Sequence, residues 1–174
     1  MDYTIRPVEP GDAPGIAALR RMPGVFENTL GLPSCRTADS AAFLASLGPN
    51  DHNFVAAAED GTIIAAAGLQ VCSSPRMRHV GSIGLFVHTD YQNQGVGTAL
   101  MKAILDLADN WLMLVRVELE VFADNERAIR LYEKFGFEKE GLLRMTTVRC
   151  GQYADEYKMA RLRPAVGYAV KPSV

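Results

Sequence analysis

Small and polar residues at positions 92–98 carry the first chemical signal in this sequence. Gln92, Gly95 and Gly97 form the pattern Gln-x-x-Gly-x-Gly after an apolar run at 83–87 and before an amphipathic segment. Glycines at such a junction allow positive φ angles and close approach of a ligand to the main chain. The unpaired N–H groups of a following helix favour a phosphate there. The alternative is a plain strand-to-helix turn, because a lone Gly-x-Gly is a weak signal. The predicted phosphate-binding residues are Gln92, Asn93, Gln94, Gly95, Val96, Gly97 and Thr98.

A second block begins at Asn125 and reads Asn-x-x-Ala-x-x-x-Tyr-x-x-x-Gly-Phe, with Ala128 and Tyr132 at its centre and Phe137 at its end. This block and the preceding Gln-x-x-Gly-x-Gly loop resemble, in order and spacing, the two signature segments of the GNAT superfamily of acetyl-CoA-dependent N-acetyltransferases. The resemblance covers residues 80–137. Two shorter segments, 26–30 and 109–112, are in addition similar to bacterial L-amino-acid N-acetyltransferases.

The resemblance implies a fold and a reaction. The fold is α/β, with a single mixed, mostly antiparallel sheet, splayed central strands and helices on both faces. The reaction moves the acetyl group of acetyl-CoA to a primary amine by direct attack in a ternary complex, and the family needs no metal. The main chain of Leu85, Phe86 and Val87 would pair with the pantetheine arm like an added strand. The N–H of Phe86 or Val87 would also stabilise the oxyanion.

Tyr132 is the candidate general acid within this resemblance. A phenol has an unperturbed pKa of about 10, whereas a thiol has a pKa of about 8.5. The tyrosine therefore stays protonated at neutral pH and can hydrogen-bond to the departing sulfur or protonate it. The alternative is an aromatic side chain that only packs in the core. Asn125 either caps the helix that follows it or hydrogen-bonds the pantetheine amide, and Ala128 lies on the cofactor side.

The general base is harder to place because this sequence departs from the family pattern. Many members carry a carboxylate on the strand before the phosphate loop, where this chain has His79, Ser82 and Gly84. Glu120, on the next predicted strand, is the candidate base, acting directly or through water. Glu118 lies on the same face of that strand as Glu120. The alternative role for one of the two glutamates is a solvent-exposed charge at the edge of the strand. Water itself is the remaining candidate.

The acceptor site is predicted in the irregular segment 22–37, which holds two prolines and two glycines. Loops of this length in a compact domain are often functional. The resemblance implies that this region walls the acceptor site, and Glu27 and Asn28 are the candidate residues for a charged group of an amino acid. A plain surface connection is the alternative.

Hydrophobic periodicity predicts the elements that position these residues. Strands are expected at 3–8, 53–58, 62–71, 80–87, 116–122, from 137 and at 153–162. Helices are expected from Asp12, as the N-cap, to Arg21, from Asp39 to Leu47, from Val96 to Trp111 on one apolar face, and after Asn125 up to Gly136. The strands at 53–71 are rich in alanine, so tertiary context must override their weak strand propensity.

Bulk properties narrow the function. The 174 residues fit one domain, expected at 1–164, with a tail at 165–174. A formal charge of −2 gives no reason to expect nucleic acid, and no apolar run is long enough for a membrane span. Three widely spaced cysteines argue against a disulfide framework or a zinc site. With no visible secretory signal, a cytoplasmic location is expected. The resemblance also allows a homodimer, but no feature of the sequence itself indicates the oligomeric state.

Other readings of the glycine loop are weaker. A dinucleotide fingerprint would need a third glycine at position 100, which is Leu, and a Walker loop would need a lysine before Thr98. A non-catalytic acyl-CoA sensor on the same fold stays open, although Tyr132 disfavours it. Within the enzyme class the acceptor is a free amino acid, a protein N-terminus or another small amine.

Overall fold

The computed structural model describes residues 2–163. These residues form seven strands and four α-helices. The strands are β1 Tyr3–Pro7, β2 Asp51–Ala58, β3 Ile63–Val71, β4 Val80–Val87, β5 Arg116–Phe122, β6 Glu138–Arg149 and β7 Gln152–Leu162. The helices are α1 Ala13–Arg20, α2 Thr37–Ser46, α3 Val96–Asp106 and α4 Glu126–Lys134. The expected elements are therefore all present, with shifted ends. The expected tail at 165–174 lies outside the described residues.

The strands form one mixed sheet in the order β1-β2-β3-β4-β5-β7-β6. Neighbouring strands pair antiparallel except β4 and β5, which are parallel. These two strands share only three residue pairs, from Val80 with Arg116 to Ser82 with Glu118. Beyond that point β4 continues to Val87 beside β3, and β5 continues to Phe122 beside β7. The central strands thus diverge in a wedge, as the resemblance implied.

Helices cover both faces of the sheet. On one face α3 and α4 bury a large core that includes Ile64, Leu100, Ile104, Leu119 and Phe137. On the other face α1 packs with a smaller core centred on Ile16, Leu19 and Val55. Alternate residues of β2 and β3 enter the two cores, because successive side chains point to opposite faces. This two-sided burial explains why β3 keeps Ala65, Ala66 and Ala67 in a strand despite their weak propensity.

Two expectations need correction. Trp111 was expected on the buried face of α3, but it is 76% exposed. A π-helical turn at Leu107–Trp111 follows α3 and shifts the direction of the side chains after Asp106. Asp12 precedes α1 but makes no side-chain cap. Its carboxylate accepts hydrogen bonds from Arg6 and from the Glu9 N–H, so it ties β1 to the turn before the helix.

None of the helices in the described part of the chain is long and apolar enough to span a membrane.

Candidate active site

The turn between β4 and α3 has the backbone geometry that its glycines predicted. Gly95 lies at φ 87° and ψ −8°, in the left-handed region, and immediately precedes the first residue of α3. Asn93 also has a positive φ, of 60°. A side chain at Gly95 would strain the backbone, because left-handed conformations disfavour residues with a Cβ. The N-terminus of α3 therefore follows a glycine turn and presents unpaired N–H groups.

Gly97 keeps the space beside this turn open. A Cβ atom at this position would lie 3.3 Å from Leu131 Cδ2, 3.7 Å from Val87 Cγ2 and 3.8 Å from Leu85 Cδ1. All four of these residues line a cavity of about 340 Å³ between β4, the turn and α4. A side chain at residue 97 would fill part of that cavity. The cavity is thus a cradle that depends on glycine, and it suits a ligand approaching the main chain.

Nine predicted cofactor residues line this cavity: Leu85, Val87, Gln92, Asn93, Gly95, Gly97, Thr98, Ala128 and Tyr132. The other predicted residues of the turn have different surroundings. Val96 is buried in the core. The side-chain amide of Gln94 donates to the carbonyl of Asp90 at 2.6 Å and braces the turn.

Gln92 joins the turn to both neighbouring elements. Its Nε2 donates to the carbonyl of Val87 at 2.9 Å, at the end of β4. Its Oε1 accepts a hydrogen bond from the Arg127 guanidinium on α4. The side chain therefore fixes the shape of the cradle and the position of an arginine at its rim.

Three basic residues at the cradle were missed in the sequence: Arg127, Arg130 and Lys134. Their spacing of three and four residues places them on one face of α4. This spacing could have revealed the basic face in the sequence, because the apolar residues of α4 lie on the remaining face. Together with the turn amides, these cations make the donor set that a diphosphate requires. The chemistry of the cavity therefore fits the nucleotide end of coenzyme A.

A second and larger cavity, of about 640 Å³, lies where β4 and β5 diverge. Leu85, Ala128 and Tyr132 line both cavities, so the two adjoin at these residues. Phe86, Glu120, Asn125 and Asn28 also line the larger cavity. The structure thus brings the predicted acid, the predicted base and a predicted acceptor residue to one space.

Tyr132 lies at the junction of the two cavities. The residue is only 6% exposed, and its ring centroid is 5.9 Å from that of Phe137. Burial raises the pKa of the Tyr132 phenol to about 12. None of the described residues hydrogen-bonds to its hydroxyl. The tyrosine is therefore both a core aromatic and a protonated phenol facing a cavity.

Asn125 caps α4 with one half of its side chain. Its Oδ1 accepts a hydrogen bond from the Ala128 N–H at 3.2 Å. This bond leaves the Nδ2 group as a donor, and the residue lines the larger cavity. The capping role and a ligand-binding role are therefore compatible.

Glu120 belongs to a row of charges along β5 and β7. Lys158 Nζ lies 2.8 Å from Glu118 Oε1 and 3.3 Å from Glu120 Oε1. Glu118 also forms an ion pair with Arg116 at 2.7 Å. Burial acts to raise the pKa of Glu118, but the hydrogen bonds and charges of Lys158 and Arg116 outweigh it, so the pKa is lowered. The Glu120 side chain is half exposed and holds the longer of the two bonds to the lysine. Of the two glutamates, Glu120 lines the larger cavity.

The two predicted acceptor residues differ in their surroundings. Asn28 lines the larger cavity, and its Nδ2 donates to the carbonyl of Gly24 at 3.2 Å. Glu27 is not among the lining residues, and its carboxylate accepts a hydrogen bond from the Gly24 N–H at 2.6 Å. Glu27 thus shapes the loop. Arg20 also lines this cavity and was not predicted from the sequence. Its signal was weak, because it looks like a basic residue at the end of a helix.

Comparison with known proteins agrees with this geometry. Residues 25–137 match the family described as "Acetyltransferase (GNAT) family". The chain is 33% identical over 174 residues to the L-amino acid N-acetyltransferase AaaT of Escherichia coli, a match that covers 93% of this chain and 99% of that protein. It is 35% identical over 123 residues to the N-alpha-acetyltransferase RimI of Mycobacterium tuberculosis, covering 70% of this chain and 73% of the relative.

Solved structures share the fold. A GNAT-family acetyltransferase from Streptococcus pneumoniae superposes with a TM-score of 0.77 at 26% identity, over 92% of this chain and 99% of that one. The spermidine N-acetyltransferase of Vibrio cholerae, solved with CoA and spermine, superposes with a TM-score of 0.81 at 22% identity, over 92% and 95% of the two chains. The cradle, the wedge and the matched segments lead to one assignment: the chain belongs to the GNAT family of acetyl-CoA-dependent N-acetyltransferases and is an acyltransferase.

Proposed function

We propose that this enzyme transfers the acetyl group of acetyl-CoA to the primary amine of free L-amino acids, by direct attack in a ternary complex. The observation that carries the proposal is the meeting of two cavities at Tyr132. One cavity has a glycine turn and three cations, and the other contains polar and charged groups deep in the wedge. An acyl donor and an amine that entered from opposite sides would meet at the phenol.

Each group at the junction has a task in this reaction. Acetyl-CoA supplies a thioester carbonyl when bound. Leu85, Phe86 and Val87 lie on the part of β4 that still pairs with β3 but no longer pairs with β5. The main-chain groups that face the gap and have no partner are therefore the ones available to a pantetheine arm. An N–H group of Phe86 or Val87 stabilises the oxyanion that forms as the amine adds to the carbonyl.

Proton transfers complete the reaction. Glu120 takes a proton from the acceptor's ammonium group, directly or through water, which frees the nitrogen lone pair for attack. The new C–N bond forms and the C–S bond breaks, and Tyr132 hydrogen-bonds to the departing sulfur or protonates it. The second proton of the attacking nitrogen is lost as the amide forms, and it restores the phenol where Tyr132 has given up its own proton. The raised pKa of Tyr132 keeps the phenol in its donor form at neutral pH.

The amino-acid acceptor rests mainly on the relative that matches almost the whole chain, the L-amino acid N-acetyltransferase AaaT. The second candidate acceptor is a protein N-terminus, which the shorter match to the N-alpha-acetyltransferase RimI favours.

An acceptor screen tests the proposal. The purified protein is given acetyl-CoA and, separately, the twenty standard L-amino acids, short peptides with free N-termini, and spermidine, and thiol release is followed. We expect turnover with free amino acids above that with peptides. Turnover only with peptides would favour the N-terminal acetyltransferase, and turnover only with spermidine would refute both. Acetyl-CoA binding without turnover on any amine would favour a sensor.

A further inference from the structure

Arg20 is a cation that the mechanism above does not use. It is the last residue of α1, and its half-buried side chain lines the larger cavity. Its Cζ atom lies 6.0 Å from the centroid of the Phe43 ring on α2. This distance is at the limit of a cation–π contact, and such a contact uses none of the N–H donors of the guanidinium.

The partners of the other charged groups in this cavity make Arg20 unusual. Asp51, Glu120, Glu156 and Lys158 each have a hydrogen bond or an ion pair with a neighbouring residue. Among the described residues, no carboxylate forms an ion pair with Arg20, and no group accepts a hydrogen bond from its side chain. The guanidinium of Arg20 therefore has donors available for an anionic ligand in the cavity.

Apolar residues and a loop lie near Arg20. Ile16, Leu44 and the partly exposed Phe43 line the same cavity. The loop approaches α1 at Gly31, where a Cβ atom would lie 2.7 Å from the carbonyl oxygen of Arg20. Because these apolar neighbours offer the guanidinium no anion, a ligand would have to supply it.

We propose that the Arg20 guanidinium binds the carboxylate of the acceptor, so that the enzyme selects amines that also carry a carboxylate. This inference rests on the proposed function, because it assigns the acceptor end of the same site. A guanidinium presents paired N–H donors that match a carboxylate in a bidentate geometry. It also repels a polyamine, which carries several positive charges and no carboxylate. Arg20 is therefore a specificity-determining residue that contacts the acceptor.

The test compares two substrates on two proteins. The substrates are the best amino acid of the screen and the same amino acid as its carboxamide, which keeps the amine and loses the carboxylate. The proteins are the wild type and Arg20→Gln. We expect Arg20→Gln to lower kcat/KM for the amino acid on the order of 10- to 100-fold, mainly through KM, because a charge-assisted hydrogen bond is lost. For the carboxamide, the ratio of wild type to variant should stay near one.

The carboxamide is also the control for folding, because a misfolded variant would lose activity on both substrates. Arg21→Gln is the matched control for charge: this neighbouring arginine is exposed, lies outside the cavity lining and donates to the Cys35 carbonyl at 3.3 Å. Arg20→Lys should recover part of the lost activity on the amino acid. An equal loss on both substrates, or no loss on the amino acid, would overturn the role of Arg20 while the proposed function stands. Absence of any wild-type turnover on amino acids would instead refute the proposed function.

Discussion

At the scale of single residues, Tyr132 combines two environments in one side chain. Its ring packs beside Phe137, and the residue lines both cavities where they adjoin. Burial disfavours the phenolate, so the pKa rises to about 12 and the group stays protonated. Core packing and catalysis were the two alternatives for this tyrosine in the sequence. A residue that packs in the core and also lines both cavities is compatible with both.

Removing that hydroxyl should separate chemistry from binding. We expect Tyr132→Phe to lower kcat by about 100-fold, the low end for a lost general acid, while the affinity for acetyl-CoA changes little. Steady-state kinetics and a titration of acetyl-CoA binding measure the two quantities. Tyr153→Phe is the control, because Tyr153 is 67% exposed on β7. An unchanged kcat in Tyr132→Phe would remove the phenol from the mechanism.

The role of Glu120 should appear in the pH profile. If it accepts the ammonium proton, Glu120→Gln lowers kcat/KM most at low pH, where few acceptor molecules are already neutral. Toward the pKa of the acceptor amine, solvent supplies the neutral form and the variant should approach the wild type. Glu118→Gln, on the same strand face and bonded to the same lysine, controls for the change in charge. Equal profiles for the two variants would assign the base to water.

At the scale of elements, the two glycines of the β4–α3 turn have different tasks. Gly95 needs its positive φ, but nothing lies within 4 Å of the place where its Cβ would be. Gly97 is helical, and a Cβ atom there would point into the cradle. The residue at position 95 is therefore constrained by its backbone conformation, and the residue at position 97 by the space of the cavity.

Alanine substitutions should separate these tasks. We expect Gly95→Ala to reduce the free energy of unfolding by about 1–2 kcal/mol, the cost of a left-handed residue with a Cβ. Gly97→Ala should change stability little, because the higher helix propensity of alanine is offset by the tight contact of its Cβ with Leu131, yet it should weaken acetyl-CoA binding. Urea unfolding measures the first effect and isothermal titration calorimetry the second. Full coenzyme affinity in Gly97→Ala would show that the cradle is not where the coenzyme binds.

Local patterns explain which elements could be predicted from the sequence. The turn at 92–97 and the cap at Asn125 depend on neighbouring residues, so their geometry follows from local rules. The direction of Trp111 depends on a π-helical turn that a regular helical period does not contain. Arg20, Glu120 and Tyr132 line one cavity although they are far apart in the sequence. No residue spacing along the chain predicts that arrangement.

At the scale of the whole molecule, the wedge between β4 and β5 is a gap in the sheet. Only three residue pairs join β4 to β5, so the strands β1 to β4 and the strands β5 to β7 are connected weakly across the centre. The hydrophobic periodicity of the predicted strands indicated a single sheet. The wedge itself was implied only by the resemblance, since both strands have an ordinary apolar pattern up to their last residues.

A ligand that occupies both cavities should therefore stabilise the whole fold. Because Leu85 on β4 and Ala128 with Tyr132 on α4 line both spaces, acetyl-CoA would connect elements on the two sides of the gap. At a concentration 100 times its Kd, a ligand that binds only the folded state raises the free energy of unfolding by about 2.7 kcal/mol. We expect urea titrations to show this increase for acetyl-CoA, and a smaller one for ADP at the same concentration, because ADP fills only the cradle. Gly97→Ala should reduce both increases. Equal stabilisation by ADP and acetyl-CoA would mean that the thioester arm makes no contact in the wedge, and the proposed meeting of donor and amine at Tyr132 would then be wrong.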